Sequence, residues 1–237
     1  MNEISKTKEL GIFLLHGITK SKEEFSKIKS ALLHLNFYVE TPNLPKHGLC
    51  PREFNSCWRD TLNLTRKELL DGVTEKFLKF RDKVDKVIIG GNSLGANLAF
   101  YLAKKYPVKG IIAINPVYQL TKGIDLLMSI QPRVKSLLLG KNKDKDDYHN
   151  FNLRNVVEII KISKDSPEYV PGLSTPTLLI FSKKADLTSS HNSGFFIRWV
   201  GDYGEVHWID KGGHGISKNK EIIPIIRDFC INVQKTI

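Results

Sequence analysis

The sequence predicts an α/β fold, a compact and mainly parallel sheet of about six to seven strands with helices on both faces. Three observations carry that expectation. Apolar strand-like runs alternate with amphipathic helical patterns along most of the 237 residues. The strand-like runs, such as GIFLLHG at 11–17 and KVIIGG at 86–91, are nearly continuous in their hydrophobicity, as strands buried on both faces are. Finally, IIGGNSLGANLAF, from Ile88 to Phe100, crowds its glycines around one serine where a strand pattern passes into a helix pattern.

After the first strand, SKEEFSKIKSALLHL (21–35) sets Phe25, Ile28, Leu32 and Leu35 on one helical face, and Ser21 and Glu24 have the spacing of a capping box. NFYVETPNLP (36–45) reads as a strand running into a proline-bounded loop, residues 52–83 as helical, 86–91 as a strand and 94–105 as a helix ending before Pro107. Further strands are expected at 109–117, 175–186 and 204–213. The closing helix, KEIIPIIRDFCINVQ, takes Pro224 in its first turn. One segment breaks the rhythm: between Val117 and Pro171 no strand pattern occurs, only the apolar-faced stretches IDLLMSIQPRVKSLLLG and NLRNVVEIIKIS. Residues 118–171 are therefore expected to form a small helical cap over the sheet's carboxyl end. The whole of 1–237 is expected to be one domain.

Composition narrows the function. A 41% hydrophobic and 26% charged content is that of a soluble globular protein. The net charge of +11 comes from lysines spread along the chain and mixed with acidic residues, and even KNKDKDD at 141–147 is nearly balanced. No nucleic-acid-binding module is present in the pattern, so no nucleic acid partner is expected. MNEISKTKEL lacks the apolar core of a signal peptide, and the apolar runs are too short to span a bilayer. Cys50, Cys57 and Cys230 are odd in number and form no C-x-x-C pair, so they read as free thiols of a reducing, cytoplasmic compartment rather than as a metal site.

The glycines around Ser93 do not cradle phosphates: Ala96 and Asn97 stand where a phosphate loop needs Lys and Ser or Thr, and no G-x-G-x-x-G occurs. What remains is Gly91-Asn92-Ser93-Leu94-Gly95, a G-x-S-x-G set between strand and helix. Such a serine must turn sharply in a conformation unfavourable to a residue with a Cβ, and side chains at 91 and 95 would strike the adjacent strand and helix. That is the setting of an activated nucleophile. A serine nucleophile needs a base to take its proton and an acid to orient the base, and in folds that carry G-x-S-x-G on such a strand-to-helix turn the partners follow the serine in the order Asp or Glu, then His. Asp186 closes LLIFSKKAD after one late strand, and His214 lies in DKGGHG after the last. Asp202 and Asp210 are weaker rivals for the acid. Of the other histidines, His207 lies inside a strand pattern, His191 suits a helix start, His47 suits packing or hydrogen bonding within its loop, and His34 and His149 carry no motif. The oxyanion needs N–H donors, for which Leu94, at the start of the helix, and Ile18, after His16-Gly17, are the candidates.

With these features in view, the sequence resembles an α/β-hydrolase of the bacterial carboxylesterase and monoacylglycerol-lipase-like group. The resemblance rests on LLHGITKSKEEF, TPNLPKHG, IIGGNSLGAN, FSKKADLTSSHNS and DKGGHGISKNKE. It implies Ser93 as nucleophile, Asp186 as acid, His214 as base, Ile18 and Leu94 as oxyanion donors, a small-molecule ester as substrate, and no metal or organic cofactor. Lys20 and Lys46 stand where relatives often carry glycine, and the expected cap carries no recognisable family motif. A first strand near residue 11 leaves no room for the antiparallel hairpin that opens larger members. The implied reaction is hydrolysis of short- to medium-chain acyl esters, with Leu127, Met128 and Ile130 of the cap suited either to an acyl pocket or to packing the cap on the sheet. Thioester or amide hydrolysis, acyl transfer, or a non-catalytic ligand-binding role on the same fold stay open, as does a monomeric or dimeric state.

Overall fold

The computed structural model describes residues 8–18, 20–47, 64–119, 160–184, 191–213 and 216–236. Among the described residues six strands form one sheet: β1 (Lys8–Leu15), β2 (Tyr38–Glu40), β3 (Val84–Asn92), β4 (Gly110–Ile114), β5 (Thr177–Ser182) and β6 (Gly204–Ile209). Their order is β2-β1-β3-β4-β5-β6, and every pairing is parallel. The helices are α1 (Ser26–Leu33), α2 (Arg66–Arg81), α3 (Leu94–Lys105), the short α4 (Ser166–Tyr169), α5 (Asn192–Val200) and α6 (Ile222–Lys235).

The near-continuous hydrophobicity of the strands is explained by two apolar layers, one on each face of the sheet. Leu10, Ile12 and Leu14 of β1 point to the layer shared with Ile28 and Leu32 of α1 and Ile226 and Phe229 of α6. Phe13 and Leu15 point the other way, into the layer built with Val73 and Phe77 of α2, Leu98 of α3 and Phe196 of α5. Period-two alternation within a wholly apolar run thus feeds both faces. The chain moves outward from β1 to β2 and then returns to lay β3 on the other side of β1, so the carboxyl ends of β1 and β3 bracket a topological switch point, where ligands of open parallel sheets bind.

Most expected elements are found, with trimmed ends. The helix at 94–105 and the first-turn place of Pro224 are as expected. The second strand keeps only three residues because Thr41–Pro45 turn away as loop. The helix expected from 52 is described from Arg66, and residues 52–63 lie outside the described residues. The capping box expected at Ser21 does not form. Lys22–Phe25 is a 3-10 turn whose Ser21 Oγ accepts from the Glu23 N–H at 3.4 Å, while the Glu24 side chain turns inward. A true box occurs instead at Thr65–Glu68 at the start of α2. Of the expected cap, residues 118–119 and 160–171 are described, with 160–164 helical and α4 following. Leu127, Met128 and Ile130 lie outside the described residues, as do Cys50 and Cys57. Cys230 is a buried free thiol whose pKa burial pushes up to about 12. Among the described residues no helix is long and apolar enough to cross a membrane.

The tightest packing lies where β3 passes into α3 beside β1. A Cβ on Gly95 would sit 1.9 Å from the Leu15 carbonyl oxygen, and one on Gly91 would sit 2.3 Å from the Gly95 carbonyl carbon and 2.5 Å from the Leu15 oxygen. These obstacles are backbone, which cannot yield as a flexible side chain does. Gly194, inside α5, has nothing within 4 Å of its would-be Cβ. Gly95→Ala is therefore expected to lose about 3 kcal/mol or more of stability, or to fail to fold, while Gly194→Ala should be neutral or stabilising by up to about 1 kcal/mol. Urea unfolding of the two variants checks this, and equal effects would contradict the packing argument.

Candidate active site

Ser93 stands alone between β3 and α3, with φ 54° and ψ −119°. A non-glycine residue there carries strain of about 1–3 kcal/mol, which its surroundings must offset. Its N–H donates to the Ile114 carbonyl of β4 at 2.8 Å, and its own carbonyl accepts from the N–H groups of Ala96 and Asn97 at 3.0 and 3.3 Å. The turn is thus clamped on both sides of its Cα. It presents Ser93, half-buried, at the carboxyl end of the sheet, directly before the positive end of the α3 dipole. Leu94 is the first residue of α3, and among the described residues its N–H has no hydrogen-bond acceptor.

The loop after β1 runs beside this turn: a Cβ on Gly17 would lie 3.7 Å from the Ser93 Cβ. Its conformation is set by His16, a fully buried side chain. Leu44 donates its N–H to His16 Nε2 at 2.9 Å, so the ring proton resides on Nδ1 and is donated to the Gly17 carbonyl at 2.7 Å. The Gly17 carbonyl and the Ile18 N–H share one planar trans peptide and point opposite ways, so the histidine fixes the direction of the Ile18 N–H. Among the described residues that N–H also has no acceptor. His47 holds the next peptide: its ring nitrogens face the Pro45 carbonyl at 2.8 Å and the Ile18 carbonyl at 2.9 Å. The histidine expected to serve its own loop therefore reaches across to the first one as well. Burial, with the neighbouring His47 second, lowers the pKa of His16 to about 3, against a smaller opposing effect of the bond to Gly17.

Asp186 and His214 lie outside the described residues, and so does His149. The strand ends that lead to the first two are tied together. Ser182 Oγ, at the end of β5, donates to the Gly212 carbonyl at 2.7 Å and accepts from the Lys184 N–H at 3.2 Å. Lys183 donates its N–H to the Ile209 carbonyl, and its ammonium pairs with Asp210 at 2.7 Å. That ammonium draws the Asp210 carboxyl below its usual range. Asp202 is exposed at the opposite end of β6 from Ser93, and Asp210 is engaged with Lys183. His207 sits on β6 against Glu205 at 2.7 Å, His191 precedes the first residue of α5, and His34 is exposed after α1. Among the described residues no group of three or more His, Cys, Asp or Glu side chains is placed to hold a metal ion.

Several buried polar side chains at this end of the sheet went unread in the sequence. Asn97 of α3 donates to the Val117 carbonyl at 2.7 Å and to Ser166 Oγ at 2.9 Å, and accepts from the Val117 N–H at 2.9 Å. Asn115, at φ 43°, accepts from the Ser182 N–H at 2.8 Å. Asn192 accepts from the N–H groups of Tyr118 and Gln119, both at 2.8 Å. For Asn97 and Asn115 the available signal was a polar amide set in an otherwise apolar run; Asn192, in SSHNSGFF, carried none.

No protein-family model matches the chain. Among solved structures, one of two metagenome-derived lipolytic enzymes superposes with a TM-score of 0.81 at 17% identity, covering 96% of this chain and 94% of that one. A thermophilic esterase from Thermogutta terrifontis gives 0.69 at 17% identity, over 95% and 91% of the two chains. A monoacylglycerol lipase of Paleococcus ferrophilus gives 0.69 at 15%, over 94% and 92%. The fold is that of the α/β-hydrolases. In sequence, the thermostable monoacylglycerol lipase of Bacillus sp. (strain H-257) is 25% identical over 107 residues, a match spanning 45% of this chain and 40% of that lipase.

The state of His16 sets a pH dependence of known sign. In the folded protein it stays neutral down to about pH 3, whereas in the unfolded chain it binds a proton near the ordinary histidine value of about 6.5. The unfolded state then holds more protons, and stability falls as pH drops below about 6.5. Relative to His16→Gln, the unfolding free energy of the wild type should decline by about 1.4 kcal/mol per pH unit between pH 6 and 4.5. Parallel pH dependences in urea unfolding would rule out a buried neutral imidazole.

Proposed function

We propose that this protein is a serine hydrolase that cleaves carboxylic esters through an acyl-enzyme. The observation that carries the reading is the Ser93 turn, strained and clamped at the switch point, with the Ile18 and Leu94 N–H groups beside it lacking acceptors among the described residues. Strain and unspent donors at one spot are what a preorganised nucleophile and oxyanion hole require. Solved structures of the same fold described as lipolytic enzyme, esterase and monoacylglycerol lipase support the ester as substrate class.

In this reading Ser93 Oγ attacks the ester carbonyl while His214 takes its proton, and Ile18 and Leu94 donate to the oxyanion. His214 then delivers the proton to the departing alcohol, leaving an acyl group on Ser93. Water, deprotonated by the same base, releases the acid. Asp186 orients the imidazole and stabilises its charged form. The tie between Ser182 and Gly212 supports the last two assignments, because it joins the strand ends that lead to residues 186 and 214. Residues 118–171 would serve as a cap over the site. Tyr118, where the chain leaves β4, packs against Phe195 and Trp199 of α5 at 4.9 and 5.0 Å between ring centroids, which ties the start of that segment to the sheet's helices. The free Cys230 fits a reducing compartment such as the cytoplasm.

The test is turnover of p-nitrophenyl esters from acetate to palmitate by the wild type and by Ser93→Ala. Wild-type activity peaking at short or medium chains, with a loss of about 10⁶ in kcat for the variant, is the expected result. An inert wild type, or a variant equally active, would overturn the reading.

A further inference from the structure

Glu24 is 3% exposed, although its place in the 3-10 turn would allow it to reach the Ser21 backbone. Its carboxylate instead gathers three donors from segments remote in sequence. Oε2 accepts from the Gly17 N–H at 2.7 Å, and Oε1 accepts from Asn92 Nδ2 at 2.9 Å and from Ser217 Oγ at 2.7 Å. Gly17 directly precedes the proposed oxyanion donor Ile18, Asn92 directly precedes the proposed nucleophile Ser93, and Ser217 follows the proposed base His214 by three residues.

We infer that Glu24 is a positioning residue, one buried carboxylate that holds the proposed oxyanion loop, the serine turn and the Ile216–Lys218 turn together. The inference rests on the serine-hydrolase reading. Nothing local rewards the burial, because the capping bond that Glu24 could have made is left to an unaided Ser21. Burying a carboxylate is unfavourable unless its oxygens are paired, and bonds to an ionised acceptor are shorter and stronger than neutral ones. The three donors supply that pairing. Burial pushes the Glu24 carboxyl above its usual range, with the bonds from Ser217, Gly17 and Asn92 pulling the other way. Asn92 gives its amide to this carboxylate while, among the described residues, its own buried Oδ1 has no hydrogen-bond partner. The Gly17 bond also supports Ile18 as the first loop's donor, since the Gly17 N–H is committed to Glu24 and, among the described residues, the Ile18 N–H has no acceptor.

Glu24→Gln keeps the size of the side chain but leaves one accepting oxygen in place of two. Ser217→Ala removes only the tie to the Ile216–Lys218 turn. Steady-state kinetics with p-nitrophenyl butyrate, at a temperature where circular dichroism shows each variant folded, separates positioning from stability. For Glu24→Gln, kcat should fall by about 10- to 100-fold with KM changed less than about threefold, the signature of a misplaced reacting group. For Ser217→Ala a smaller fall in kcat is expected, and the double variant should be no slower than Glu24→Gln, because Ser217 acts through the same carboxylate. Unchanged kcat with a lowered melting temperature would reduce Glu24 to a structural role while leaving the hydrolase reading intact. Multiplying effects in the double variant would overturn the shared anchor. If Glu24→Gln does not fold, Ser217→Ala decides: a lower kcat at constant KM supports the inference and an unchanged kcat overturns it. A wild type inert on all esters would sink the hydrolase reading, and the role of Glu24 in it.

Discussion

The contact on which the site depends is backbone against backbone. Strand β1, the end of β3 and the first turn of α3 meet at Leu15, Gly91 and Gly95 with no space for a side chain on either glycine. That closeness has two consequences. The chain can pass from β3 into α3 only through one residue held at positive φ, which is Ser93. It also draws the loop after β1 alongside the same residue, so the Ile18 and Leu94 amides come from two elements yet flank one serine. Main-chain sterics thus generate the strained turn, its half-exposed side chain and its neighbouring donors together.

A parallel sheet needs its loops held as firmly as its strands if several of them are to act on one molecule. Here that work falls to buried polar side chains, each bridging segments far apart in the chain. Glu24 spans three segments, Asn97 joins α3 to the exit of β4 and to α4, Asn115 joins β4 to β5, and Ser182 joins β5 to the loop after β6. Such groups favour the folded state only when satisfied, so each one specifies a single arrangement rather than adding generic stability. The carboxyl end of the sheet is thereby held as one polar lattice resting on two apolar layers.

The sheet and the Ser93 turn were legible in the sequence for a simple reason. Both are written in patterns that survive without neighbours: apolar runs for strands buried on two faces, period 3.6 for Ile28 and Leu32, and paired glycines where backbone must touch backbone. Helix α3 was readable to the residue because Ser93 and Pro107 mark its two ends. Glu24 was misread as a helix cap because spacing alone cannot distinguish a side chain that folds back on its own turn from one that turns inward to meet Ser217, 193 residues later. His16 and His47 were opaque for the same cause, since their roles depend on carbonyls and amides brought in by other loops. Local chemistry is visible in local sequence; a buried network is visible only once the chain has closed around it.

The central claim is that Ser93 is a nucleophile made reactive by this arrangement. The most direct measurement is treatment of the folded protein with a fluorophosphonate probe, followed by mass spectrometry of the digested protein. The account predicts one phosphonyl group per chain, carried by the peptide containing Ser93 and absent after denaturation before labelling. An unmodified protein, or modification elsewhere with Ser93 untouched, would contradict it and leave the turn as a feature of folding alone.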